Sequence, residues 1–224
     1  MANVKEPITA DQLRIVPANQ ASWEDLDAIF GRTDPGRCHC QRYKIVGWIW
    51  RDSTQEQRTA ALREQTACGN PDSPTTSGLV AYVDGQPGAW VAVEPRSEYL
   101  NFMRNPRRTP WLGRNENSDD ESVWAVTCFV VRREYRGRGL TYHLAQAAAE
   151  HARERGARAV EAYAMTTEPG KVITWGDLHV GARQVFDEAG FTEVSHPSLR
   201  RVVMRLDFPM RRPRPATRRA RRTA

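Results

Sequence analysis

Between Cys128 and Ala145 the sequence reads CFVVRREYRGRGLTYHLA: an apolar run enters a turn holding Gly137 and Gly139 and leaves it as a helix. Glycine tolerates positive φ and lets a ligand approach bare backbone. The first amides of a helix lack internal acceptors and point outward, and the helix dipole adds partial positive charge there. Together these features suit an anion, a pyrophosphate in particular, and Arg136 and Arg138 add charge at its rim. The third glycine of a dinucleotide-binding G-x-G-x-x-G is missing, because Leu140, Thr141 and Tyr142 follow Gly139, and a Walker G-K-[ST] is absent. Taken alone, the two glycines fit a plain tight turn about as well as a phosphate cradle.

A second group with chemical potential is Cys38-His39-Cys40. Thiolate with imidazole suits zinc, but a C-x-C without a second pair chelates poorly, so no metal is expected and the segment reads as a buried or site-lining loop. Cys128 sits in an apolar run and reads as a small buried strand residue. The four cysteines follow no regular spacing, and the start MANVKEPITADQ has no apolar secretory core. Reduced thiols and a cytoplasmic location are the expectation.

The elements that must position these residues follow from patterning. Leu13 to Val16 reads as a first strand closed by Pro17, and Ser22 caps a helix whose Leu26, Ile29 and Phe30 share a face. A second helix is predicted from about Thr54 to Ala67, with Ser53 and Glu56 as capping partners and Gly69 as its stop. Gly78–Val83 and Gly88–Glu94 flank Asp84-Gly85, a strong hairpin signal. A long polar connection from Pro95 to Ser122 mixes Arg96, Arg104, Arg107, Arg108 and Arg114 with an acidic run, and its length points to a functional or mobile loop. Val123–Val131 is a buried strand, Leu140–Arg155 a helix ended by Gly156, and Ala159–Met165 the next strand. One helix is predicted from about Asp177 to Ala189, and a last strand alternates through Val202, Met204, Leu206 and Phe208. The sum is one α/β domain over residues 1–208: a mixed, mostly antiparallel central sheet flanked by helices on both faces.

Composition bounds the function. Of 224 residues 40% are hydrophobic and 27% charged, an ordinary globular balance. The longest apolar stretch is far short of the ~20 residues of a membrane helix, so no membrane partner is expected. The net charge of +6 is local: residues 209–224 hold seven Arg and no acid, and the rest of the chain carries one more acid than base. This Arg-rich tail reads as disordered and solvated; it makes nucleic acid an unlikely partner, through the tail alone. No aromatic interleaves its arginines, so single-strand stacking is unsupported.

The stretch Arg136-Gly137-Arg138-Gly139-Leu140-Thr141 resembles the [QR]-x-x-G-x-[GA] signature of the GNAT superfamily of acyl-CoA-dependent N-acetyltransferases, with Thr141 in place of a small last residue. Val131 to Leu140 fits the same pattern, and Ala182 to Phe191 resembles the family's second helix, which ends in G-F before a strand. The resemblance implies an acetyltransferase using acetyl-CoA as co-substrate, without a metal, and acting on a primary amine of a small molecule by direct attack. It implies that Phe129, Val130 and Val131 pair with the pantetheine arm, that Arg136 to Thr141 hold the pyrophosphate, and that the sheet splays beyond Val123–Val131. A backbone N–H near Phe129 would stabilise the oxyanion. Where the family often carries a Tyr acid this chain has Phe186, leaving Tyr142, Tyr163 and His179 as substitutes. Glu121, just before the central strand, and Glu94, ending the third, are the candidate bases; Trp124 and Cys40, with the Cys38–Tyr43 loop, are candidate acceptor contacts. Two other readings stay open: an acyl-CoA-binding module without catalysis, and an acetyltransferase tethered to nucleic acid by its tail. A homodimer is compatible with the sequence.

Overall fold

The computed structural model describes residues 5–31, 36–103, 110, 113–167 and 173–209. Strands β1 (Leu13–Pro17), β2 (Gly78–Val83), β3 (Gln86–Pro95), β4 (Val123–Val131), β5 (Ala159–Ala162), β6 (Thr192–Ser198) and β7 (Arg201–Asp207) form one sheet in the order β1-β2-β3-β4-β5-β7-β6. Among these described strands β4 and β5 run parallel and the other pairs are antiparallel. The mixed, mostly antiparallel sheet is thus as expected. Helices α1 (Trp23–Phe30), α2 (Gly47–Asp52), α3 (Gln55–Thr66), α4 (Leu100–Met103), α5 (Leu140–Glu154), α6 (Trp175–Leu178) and α7 (Arg183–Glu188) complete the described fold.

Local chemistry explains the boundaries. Ser22 accepts from the amide of Asp25 at 3.0 Å and starts α1. The box at α3 lies one residue later than the sequence suggests: Thr54 and Gln57 bond reciprocally, at 2.9 and 3.3 Å. Asp84 and Gly85 both take positive φ, +49° and +78°, the signature of a two-residue hairpin turn. One sheet face buries Val126, Phe129 and Val160 against the alanines of α5 and against Val185 and Phe186 of α7. The other covers Trp90, Cys128 and Val130 with α1, α3 and Cys40.

Three expectations need correction. The helix predicted over Asp177–Ala189 is broken: α6 and α7 are separated by His179-Val180-Gly181-Ala182, with Gly181 at φ +86°. There Met165 donates to the Gly181 carbonyl at 2.9 Å and accepts from the Arg183 amide at 2.8 Å, so sheet pairing takes groups that a helix would use. The strand predicted to Met165 ends at Ala162, with Met165 holding an isolated bridge. The edge strand β6 and the exposed α2 were not expected, because a polar edge containing Pro197 and a short helix without buried residues have no apolar period.

Candidate active site

The sheet opens in the middle. β4 pairs with β5 only from Val123 to Val126, while β3 follows β4 to Val131. A register shift at Ala92/Val93 leaves Thr127 without a cross-strand partner, a bulge that turns Cys128 and Val130 to the α1 face and Phe129 and Val131 to the α5 face. Below the opening lies a cavity of about 330 Å³. Its floor is Phe129 and Val131; one end is Arg136, Gly137, Gly139, Leu140 and Thr141; the far wall is His179, Gly181, Ala182 and Val185.

The glycine turn has the conformation its chemistry needs. Gly137 and Gly139 sit at φ +75° and +83°, and Gly139 is the N-cap of α5. Among the described residues none accepts from the amides of Gly137, Arg138, Gly139, Leu140 or Thr141. Five bare donors at the start of a four-turn helix, open to a cavity, form a strong anion cradle. The two arginines part company. Arg136 lines the cavity, its Nε donating to the Val131 carbonyl at 2.8 Å. Arg138 turns away: its Nε donates to the Glu6 carbonyl at 2.8 Å and its own carbonyl accepts from Ile8 at 3.0 Å. It fastens the N-terminal segment to the outside of the turn instead of adding charge inside it.

Along the open edge of β4, Phe129 and Val131 direct their backbone groups to the same side because they lie two apart. The Phe129 amide is taken by the His179 carbonyl at 2.6 Å, and the Val131 carbonyl by Arg136. The Val131 amide and the Phe129 carbonyl have no partner among the described residues. Val130 faces β3, paired with Trp90, and offers nothing to this edge.

His179 also brings a polar side chain to the cavity wall. Its Nε2 lies 2.8 Å from the Tyr43 hydroxyl, and its Nδ1 bonds the Gly176 carbonyl. Burial lowers its pKa below the ordinary imidazole value. Tyr43 stacks on Phe102 with centroids 4.1 Å apart, and Phe102 meets the edge of Tyr163.

Of the other sequence candidates, Tyr142 alone lines the cavity among the described residues. Glu121 is exposed in the turn before β4, eight residues and about 25 Å of strand from Phe129. Glu94 is 7% exposed and ion-paired with Lys44; burial, only partly countered by Lys44, raises its pKa. Trp124 faces α5, edge-on to His151, because it precedes the bulge. Cys40, in a left-handed conformation at φ +54°, accepts from Trp90 Nε1 at 3.1 Å inside the core. Its neighbour His39 stacks on Phe30 and reaches the Thr59 hydroxyl. Tyr142 lines the cavity, whereas Tyr163 is buried beside Glu161 and Phe186 fills the core between Phe129 and Phe191. Arg104, Arg107 and Arg108, and the tail from residue 210, lie outside the described residues.

The site is thus a splayed mixed sheet with a glycine turn and a helix start beneath its opening. A solved acetyltransferase shares this fold, with a TM-score of 0.51 at 20% identity over 87% of this chain and 98% of its own. The model of the acetyltransferase (GNAT) family matches residues 42–171, more than half of the chain, and the chain belongs to that family. Lesser likenesses include yncA of Salmonella typhimurium, a putative acetyltransferase solved with acetyl-CoA (14% identity, 88% and 94% of the two chains, TM-score 0.47). A GCN5-related N-acetyltransferase from Kribbella flavida is 17% identical over 89% and 100%, with TM-score 0.47. No curated protein matches. Among the described residues no helix is long and apolar enough to cross a membrane.

Proposed function

We propose that this chain moves an acetyl group from acetyl-CoA to a primary amine of a small molecule by direct attack. The observation that carries the reading is the continuity of one cavity from the open amides of Gly137–Thr141 to the open edge of β4 at Phe129 and Val131. The turn suits the pyrophosphate. The Val131 amide and Phe129 carbonyl supply one donor and one acceptor to the pantetheine amides, as a strand adding to a sheet edge would use them. The thioester then falls beyond Phe129, beside His179. Engagement of the Phe129 amide by the His179 carbonyl means that this amide can serve as oxyanion donor only once that bond opens. Glu94 and Glu121 lie away from the cavity and are not favoured as direct bases.

Calorimetry with CoA, joined to acetyl-CoA consumption over a panel of primary amines, tests the reading. Wild-type protein should bind CoA and release free thiol only when an amine is present. Gly139→Asp, which puts a carboxylate at φ +83° in the anion cradle, should weaken CoA binding at least tenfold. Absence of heat with folded protein overturns the proposal, and binding without turnover on any amine turns it into the binding-module reading.

A further inference from the structure

Two residues 136 positions apart meet beside the cavity wall to which His179 belongs. Tyr43 closes the 3-10 turn Gln41–Tyr43 between α1 and α2, and His179 stands in the break between α6 and α7. Their contacts fix where the protons are. The Gly176 carbonyl can only accept, so His179 Nδ1 carries its hydrogen and Nε2 is a bare lone pair. Tyr43 therefore donates its O–H to Nε2 at 2.8 Å. The two rings lie 16° from parallel with centroids 5.7 Å apart, and Phe102 stacks on Tyr43 with centroids 4.1 Å apart. His179 lines the cavity, and its carbonyl binds the amide at the end of the open β4 edge. The imidazole is held from both sides of its ring at the place where the acyl group would arrive.

We propose that Tyr43 and His179 are the proton-transfer pair of the reaction; this inference rests on the acetyl-transfer reading above. An ammonium acceptor gives one proton to the Tyr43 oxygen as the Tyr43 proton passes to His179 Nε2. The freed amine forms the C–N bond to the thioester carbonyl carbon, and collapse of the tetrahedral adduct breaks the C–S bond. The second nitrogen proton goes to the leaving thiolate. The imidazolium then returns its proton through Tyr43 to solvent, so ammonium and acetyl-CoA yield amide, CoA thiol and one proton. The surroundings keep the ring ready to accept: burial above all, then Arg201 and Arg42, disfavours imidazolium and outweighs the opposing Gly176 carbonyl and Asp177, and the nearby thiols Cys38 and Cys128 are uncharged.

The test compares Tyr43→Phe, which keeps the stack on Phe102, and His179→Gln with wild type, each verified by its melting curve. Both variants should bind CoA within about threefold of wild type. Both should lose about 100-fold or more in kcat on the best amine of the panel. The acid limb of the wild-type kcat/KM profile, where the imidazole becomes protonated, should disappear in His179→Gln. Independently of any acceptor, the imidazole nitrogen resonances of His179 should move when CoA is added and should lose their hydroxyl partner in Tyr43→Phe. Wild-type kcat and pH profile in both variants overturn the pair. So do His179 resonances indifferent to CoA where calorimetry shows CoA bound. Absence of CoA binding in wild type fails the acetyl-transfer reading itself, and the pair with it.

Discussion

Glu161 is fully buried on β5, and its carboxylate meets Arg96 at 3.4 Å, Arg114 at 2.5 Å and Arg205 at 2.8 Å. Arg96 also donates to the Asn117 carbonyl, and Arg205 reaches Glu116 at 3.1 Å, so one carboxylate ties the segment after β3 to β5 and β7. Removing one partner of such a cluster leaves buried charge uncompensated. Glu161→Ala should cost about 3–5 kcal/mol in denaturant unfolding, whereas Glu121→Ala in its exposed turn should change stability by less than about 0.5 kcal/mol. His151 on α5 gives a pH signature. Burial, with Arg155 nearby, lowers its pKa to about 4 from an ordinary 6.5. The unfolded chain then binds a proton that the native state refuses. Stability at this site is complete above pH 6.5 and falls as the pH drops from there to about 4, by roughly 3 kcal/mol. In His151→Gln that part of the pH dependence of unfolding should be missing.

The elements around the cavity depend on a few backbone positions. A Cβ on Gly181 would come 2.7 Å from Phe186 and 2.9 Å from Phe129, at φ +86°. Gly181→Ala should therefore destabilise the break between α6 and α7 and weaken CoA binding together, read by melting and calorimetry on the same sample. The N-terminal segment acts from outside: Ile8 is buried in the α5-side core, donates to the Arg138 carbonyl and accepts from His143 Nε2 at 3.3 Å. Ile8→Ala should lower stability by about 2–5 kcal/mol and raise the Kd for CoA by loosening the turn it braces. Much of this frame was legible in the sequence. Val123–Val131 and the Asp84-Gly85 hairpin announce themselves by apolar run and turn residues, and the Gly137/Gly139 turn by its place between strand and helix. The break at Gly181 was hidden because Leu178, Ala182, Val185 and Ala189 keep a helical period across it; the glycine itself was the available signal. The Tyr43–His179 contact was illegible for another reason. His179 stood out as a titratable residue, but its partner arrives from 136 residues away, and local periodicity carries no such pairing. Trp124 and Cys40 lie away from the cavity for reasons that local patterning does not carry: Trp124 precedes the bulge at Thr127 and faces α5, and Cys40 is turned under Trp90 into the core.

At the scale of the whole molecule, a ligand that bridges the glycine turn and the β4 edge links α5 to the α6–α7 break across the opening. CoA at 100 times its Kd should add about 2.7 kcal/mol to unfolding, with amide-exchange protection concentrated at β4, the start of α5 and the 179–183 segment. A chain ending at Phe208 should keep the wild-type melting temperature and CoA affinity, since β7 ends at Asp207 and every described cavity-lining residue precedes it. The strand order gives that boundary a sharper meaning. Among the described residues β7 comes last in the chain, yet it lies inside the sheet, between β5 and β6. During synthesis β6 has no neighbour to join, and the outer side of β5 stays bare until residues 201–207 emerge. Nascent chains stalled in this window should be sticky, and they should be clients for chaperones that shield unpaired strands.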